Sequence, residues 1–178
     1  MGTGRGYLQH RRNIEADFEQ QVGGAKRRSR APISMAEFNE EAKNGLYTDE
    51  KKRPYLPSMH IEQSLVKGGS AFQIRGQGKK TYKGDMLASI MVLPERIPIS
   101  PPDWSVDIAA VKIQGKQTFR ARPLFKKGWK AKFEVQITNP DLQPSAVKDI
   151  LQHVGVHVGI GDYRPRYGQF EITKWEEE

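Results

Sequence analysis

Apolar residues recur along this chain at two periods. Val147, Ile150, Leu151 and Val154 repeat at helical spacing, which predicts a helix over residues 145–157 after the turn Asn139–Ser145. Ala131, Phe133, Val135 and Ile137 alternate with Lys130, Lys132, Glu134 and Gln136, which predicts a strand over 130–138 with its apolar set turned to the core. The dense apolar run Met86–Leu93 reads as a buried central strand. Val106–Ile113, the turn Gln114-Gly115-Lys116 and Gln117–Arg122 read as a hairpin. Phe119 and Ala121 would lie on one of its faces, and Arg120 and Arg122 on the other. Gln169–Trp175 reads as a last strand.

Local signals place the remaining helices. Ser34-Met-Ala-Glu37 is a capping box and predicts a helix from Met35 to Lys43, closed by Asn44-Gly45. Pro57 ahead of Ser58 as N-cap, followed by Met59, Ile61, Leu65 and Val66, predicts a helix ending at Gly68-Gly69 or kinking on to Phe72. Asp49–Pro54 is a polar turn between extended pieces. Residues 8–22 carry a partial apolar face (Leu8, Ile14, Phe18) that ends at Gly23-Gly24, and the basic cluster Lys26–Arg30 reads as loop. The division is therefore a basic N-terminal extension, residues 1–33, and one domain, residues 34–178.

From Pro57 the expected order is helix, strand, inserted hairpin, strand, helix, strand. One strand ahead of the first helix completes β-α-β-β-α-β. The expected fold is thus α+β: a ferredoxin-like antiparallel sheet with two packed helices and an inserted hairpin. Only Gly6–His10 offers that first strand. The sheet is expected to be truncated there or to take the strand from a neighbouring chain.

Composition narrows the function. The chain has 178 residues, enough for a proper core, and no cysteine, which excludes disulfides and thiolate metal sites. No apolar run approaches the roughly 18–20 residues of a membrane span, and the N-terminus lacks a hydrophobic signal core, so the expectation is a cytoplasmic protein without membrane contact. The formal net charge of +8 favours polyanionic partners. It is concentrated: Lys67–Lys132 holds fourteen Lys/Arg against four acids.

Candidate contacts follow from that concentration. Lys79, Lys80 and Lys83 flank Tyr82 in a Gly-rich basic loop, Arg75–Lys83, able to follow a phosphate backbone. Arg120, Arg122, Lys126, Lys127, Lys130 and Lys132 add a basic face. Gly155–Ile172 packs glycines with Tyr163, Arg164, Arg166 and Tyr167; arginine forks suit phosphate and tyrosine faces suit bases. Trp129 serves equally well as core or as stacking platform. Asp162 and Pro165 argue for a stiff turn, with Asp162 paired to a neighbouring arginine. The loop matches neither G-x-G-x-x-G nor a Walker pattern.

Catalytic signals are sparse. His153 and His157 are four apart, a two-His metal edge, but no H-E-x-x-H pattern or acidic cluster completes it. His60 and His10 are the candidates for a general base. The expectation is no metal, no cofactor and no catalytic residue.

Two resemblances bear on the reading. The last third, Gly159-Ile-Gly161 through Gly168-Gln-Phe170, is similar to the glycine-rich loop between last helix and last strand in the RAMP superfamily, the RRM-like subunits of CRISPR effector complexes. Gly45-Leu-Tyr47, Pro57 to Ile61, Arg122-Pro123 with Phe125 and Trp129, and Gly159 to Phe170 resemble a group of uncharacterised phage and prophage proteins. The first resemblance implies contact with RNA or single-stranded nucleic acid near the loop. The second implies a phage-encoded protein acting in a bacterial host cell. Together these give the functional expectation: a non-enzymatic protein that binds single-stranded nucleic acid, RNA in preference to DNA, as an oligomer along the strand or within a larger ribonucleoprotein. The alternatives are a phage protein that docks on a host defence complex, and a RAMP-like metal-independent endoribonuclease.

Overall fold

The computed structural model describes residues 34–113, 115–161 and 163–177. The helix expected over 8–22, the basic cluster Lys26–Arg30, the strand Gly6–His10, His10 itself, Gln114 and Asp162 lie outside the described residues. Those described form a mixed α+β protein with four helices and small antiparallel sheets. They divide into two compact units, residues 34–46 with 104–125, and residues 47–103 with 126–177.

The smaller unit is a helix on a hairpin. Helix α1, Met35–Asn44, starts where expected: Ser34 Oγ accepts from Glu37 N, and the Glu37 carboxylate accepts from Ser34 N at 2.6 Å. Phe38 and Ala42, four apart, share one buried face. They pack with Ala121, Trp104, Val106, Ile108 and Phe119, the apolar face of a hairpin between β4, Trp104–Ile113, and β5, Lys116–Phe125. The two strands pair from Trp104 opposite Phe125 to Ile113 opposite Lys116. Glu41 of α1 reaches the outer edge of β5: one carboxylate oxygen accepts from Ala121 N at 3.1 Å, the other from Arg120 Nη1 at 2.8 Å.

The larger unit begins with β1, Tyr55–Pro57, which runs directly into α2, Ser58–Gly69. After α3, Lys83–Ser89, come β2, Ile90–Leu93, and β3, Arg96–Ser100. Strands β6, Lys130–Ala131, and β7, Glu134–Ile137, lead to α4, Pro144–His153. β1, β3 and β6 form one antiparallel sheet; β2 and β7 form a second. Partners in the β2–β7, β3–β6 and β4–β5 ladders are symmetric about the turn at Gly115 to within about two residues. Residues 90–100 and 126–137 are thus the two antiparallel arms of the larger unit, and residues 104–125 are the hairpin of the smaller. Pro94, which has no N–H to give a ladder, separates β2 from β3 on the first arm.

Four local expectations change. The run Met86–Leu93 is helical to Ser89 and strand only from Ile90. In the helix Met86 is buried while Leu87 is 72% exposed, so apolar density did not mean burial there. The first strand is present, immediately ahead of α2, but its three residues sit beside Pro54 and end in Pro57, a composition that reads as turn. Residues 169–175 carry no strand, although Phe170, Ile172 and Trp175 pack against the core. Pro57, not Ser58, is the N-cap of α2; buried Ser58 instead donates its backbone N–H to Glu95 O at 2.9 Å.

The core of this unit joins Ile61 and Leu65 of α2, Met86, Val92, Ile97, and Val147, Ile150 and Leu151 of α4. β1 pairs with β3 alone, and on β2 the α2 helix supplies an acceptor: Glu62 Oε1 accepts from Val92 N at 2.9 Å, with Val92 1% exposed. Glu62→Ala would leave that N–H without a partner and is expected to cost about 1–3 kcal/mol in urea denaturation. Glu62→Gln, which keeps an acceptor oxygen, should cost less. Equal stability of all three proteins would show that the carboxylate does not cap the edge.

Candidate nucleic-acid interface

The glycine-rich segment is a closed clasp. The last turn of α4 widens into a π turn, Val154–Val158, closed by Gly159 N donating to Val154 O at 2.7 Å. Ile160 N then donates to Gly168 O, Phe170 N to Gly155 O and Tyr167 N to Tyr163 O, each at 3.0 Å. A Cβ at Gly155 would meet the Phe170 carbonyl, and one at Gly168 the Ile160 carbonyl, with Gly168 also at φ +74°. These amides therefore serve the loop and not a ligand. α2 holds the clasp from below: Ser64, 0% exposed, donates its hydroxyl to Gly159 O at 2.9 Å and accepts from Arg164 Nη1 at 3.3 Å.

Beside the clasp, the first strand and its approaches assemble a strip of cations and rings. Asp49 folds the segment ahead of β1: its carboxylate accepts from Lys51 N, Arg53 N and Arg53 Nε at 2.8–2.9 Å. The bonds from Arg53 hold its carboxyl below the usual range. That turn lets Tyr55 N donate to Tyr47 O at 3.0 Å and sets their rings 6.0 Å apart. Antiparallel pairing of β1 with β3 brings the Arg96 guanidinium 5.7 Å from the Tyr55 ring. On the other side the Tyr47 ring meets His60 of α2 edge-on at 5.4 Å. Burial first, and the neighbouring Arg164 guanidinium second, push the His60 imidazole below its ordinary value. The strip thus runs Arg96, Tyr55, Tyr47, His60, Arg164. On the clasp itself Tyr163 and Tyr167 stack at 5.5 Å and 26°, with the Arg166 guanidinium 6.0 Å from the Tyr163 ring.

The candidates read from the sequence are dispersed. Lys79 and Lys80 are exposed on a small hydrogen-bonded turn, in which Ile74 N donates to Lys80 O at 2.8 Å and Gln73 bridges to Thr81, so the segment is a built turn. Lys83 opens α3, exposed, while Tyr82 and Trp129 are half-buried against the core. Lys126, Lys127, Lys130 and Lys132 are exposed on the second arm. Arg120 and half-buried Arg122 belong to the helix–hairpin unit, and Arg120 is ion-paired to Glu41 at 2.8 Å. Tyr163, Arg164, Arg166 and Tyr167 do come together. Tyr47, Tyr55 and Arg96 were missed, because only the Asp49 turn and the β1–β3 pairing bring residues 47, 55 and 96 together; Asp49–Pro54 between two tyrosines was the one available signal.

His153 and His157 stand 4.6 Å apart between ring centres, with Phe72 edge-on to His153 at 5.2 Å. No group of three or more metal-ligating side chains occurs among the described residues. Among those residues no helix is long and apolar enough to cross a membrane. Comparison with protein-family models, with curated proteins and with solved structures finds no match to this chain.

Ser64→Ala removes a partner from both the Gly159 carbonyl and Arg164 and should cost about 1–3 kcal/mol in urea denaturation. Gly168→Ala should cost at least about 1–3 kcal/mol from its positive φ alone. A neutral result for Gly168→Ala would mean that the clasp opens without cost. Burial holds both His60 and His153 below the ordinary value of 6.5, with Arg164 adding to the first and His157 to the second. Just below 6.5 the unfolded chain therefore binds more protons than the folded one, so stability is full above that pH and falls as pH drops through it. His60→Gln and His153→Gln should each flatten the fall in the urea midpoint; an unchanged slope in both would contradict the burial of these rings.

Proposed function

We propose that this protein binds single-stranded nucleic acid, RNA in preference to DNA, without cleaving it. The observation that carries the proposal is the strip Arg96–Tyr55–Tyr47–His60–Arg164, rings between two cations, with the Tyr163–Tyr167 stack and Arg166 on the clasp. Bases stack on aromatic faces whatever their identity, and guanidinium groups take the phosphates between them. Exposed Lys79, Lys80, Lys83, Lys126, Lys127, Lys130 and Lys132 extend the positive field that draws a polyanion in. A two-residue spacing of aromatics on one strand, the usual way to display rings, is replaced here by rings gathered from a turn, a strand and a helix.

The resemblance of Gly159–Phe170 to the RAMP superfamily supports the same ligand class, and the phage-protein resemblance supports action inside a bacterial host cell. On the fold, the larger unit reads as a variant ferredoxin-like unit. Strand, helix, two antiparallel arms and second helix follow in that order, and residues 169–175, with Ile172 and Trp175 packed on the core, take the place of the last strand. Its departure is that β1 borders the first arm, where the ferredoxin-like order would set it beside the second.

Fluorescence anisotropy with single-stranded RNA and DNA over a salt series tests the proposal. Log affinity should fall linearly with log salt, as phosphate neutralisation requires. Tyr47→Ala and Tyr55→Ala should each weaken binding by about 1–3 kcal/mol, and Arg96→Gln should reduce the salt slope by about 1. No binding of any oligonucleotide at low salt would overturn the reading, and an interaction with a host protein would then be the reading to test.

A further inference from the structure

Arg164 is half-buried and makes one hydrogen bond, to Ser64 Oγ at 3.3 Å; it has no carboxylate partner among the described residues. Its neighbour His60 is also half-buried, makes no hydrogen bond to another described residue, and has Tyr47 along one edge at 5.4 Å. Tyr47 from the segment ahead of β1 lies along the imidazole, and Ser64, four residues on from His60 and so on the same face of α2, carries Arg164 of the clasp. Burial first and the Arg164 charge second disfavour the protonated imidazole. A guanidinium set partly out of water near a second basic group, with no carboxylate paired to either among the described residues, is a costly arrangement unless an anion completes it. Ser64, fully buried and fixed to Gly159 O at 2.9 Å, holds the guanidinium in place with its other N–H groups still to be used.

We propose that Arg164 and His60 form a seat for a phosphomonoester, with Ser64 positioning the guanidinium and Tyr47 forming one wall. The charges decide for a monoester over a diester. A phosphodiester inside a strand carries one negative charge, which the guanidinium fork satisfies alone. A terminal phosphate carries about −1.5 to −2 at pH 7. Its second charge has a partner only if His60 takes up a proton, which burial of the imidazole disfavours while no such charge is present. Binding is therefore coupled to proton uptake at one imidazole. The same chemistry is offered by inorganic phosphate, by a mononucleotide and by the phosphorylated end of a strand; only the last source rests on the function proposed above.

Three probes separate the sources: inorganic phosphate, a 5′-mononucleotide, and an oligouridylate with either a 5′-phosphate or a 5′-hydroxyl end. Phosphate or the mononucleotide should raise the melting temperature of the protein at constant ionic strength, where the same concentration of chloride does not. Calorimetry of the 5′-mononucleotide, whose phosphate has a second pKa of about 6 and so is almost wholly doubly charged at pH 7.5, in two buffers of different ionisation enthalpy should show net uptake of up to about one proton there, a consequence of linkage. Arg164→Gln should abolish both effects. His60→Gln should abolish the proton uptake and weaken phosphate by about tenfold, the worth of one charge-assisted hydrogen bond. Urea denaturation confirms that each variant is folded. For the strand-end source, the 5′-phosphorylated oligouridylate should bind about tenfold tighter than the hydroxyl-ended one, an advantage lost in His60→Gln. Phosphate binding without that advantage supports the seat and assigns it to a small phosphate. Oligonucleotide binding that is indifferent to the end, together with no response to phosphate or the mononucleotide, overturns the seat and leaves the strand-binding function standing. Response to phosphate with no oligonucleotide binding supports the seat and removes the strand.

Discussion

Backbone lies against backbone around the clasp, and the larger unit depends on it. The Gly155 and Gly168 positions face carbonyl groups so closely that a single methyl would collide with them, and a methyl at Gly68 of α2 would collide with the Val154 side chain. Because α2 carries no side chain at that point, the end of α4 can approach it, and because the clasp carries none, its two strands of chain can exchange hydrogen bonds. Ser64 is one turn of α2 away from Gly68 and reaches the Gly159 carbonyl. The position of Arg164, hence of the charge beside His60, follows from the same approach. Glycine is present here for proximity, and what this proximity aligns is the Ser64 hydroxyl with the Gly159 carbonyl and the Arg164 guanidinium.

A second device is shared by the two units. In each, a helical glutamate satisfies an outward N–H on a strand edge that no strand covers among the described residues: Glu62 for Val92, and Glu41 for Ala121. A carboxylate is well suited to this role. It accepts without donating, and its charge makes the edge a poor template for another chain. Glu41 also engages Arg120, so one of the arginines that composition alone would assign to phosphate is spent on an internal ion pair. Counting basic residues along a segment cannot see this, because the partner lies 79 positions earlier in the chain.

What could be read from the sequence was whatever is fixed locally. The capping box of Ser34 and Glu37, the long hairpin about Gly115, the alternation from Ala131 to Ile137 and the helix opened by Pro144 each have their cause within a few residues. The losses share a different cause. Met86 and Leu87 are both apolar, yet one is buried and the other is exposed, and a run of eight residues is too short for its period to show. β1 is three residues bounded by prolines, a strand only because β3 pairs with it. The strip from Arg96 to Arg164 draws Arg96 and Tyr55 from two strands, Tyr47 from ahead of a turn, His60 from a helix and Arg164 from the clasp, so no window of sequence contains it. The aromatic residues nearest to the basic run, Tyr82 and Trp129, went into the core instead.

This redistribution changes what the positive charge is for. Lys79, Lys80, Lys126, Lys127, Lys130 and Lys132 are exposed ammonium groups on flexible stems, and such groups supply long-range attraction that salt readily screens. Arg164 is a half-buried guanidinium bonded to a buried hydroxyl, which fixes its geometry, and Arg96 is an exposed guanidinium 5.7 Å from the Tyr55 ring centre. Attraction and placement are thus carried by different residues on different parts of the chain. The glycine-rich segment, which on sequence looks like the cradle, uses its own amides to close on itself. Its contribution is to set one arginine against one histidine, with a serine beneath and a tyrosine at the side. Of those two groups the guanidinium carries a fixed charge, while partial burial disfavours the charged form of the imidazole, so the second charge depends on a proton.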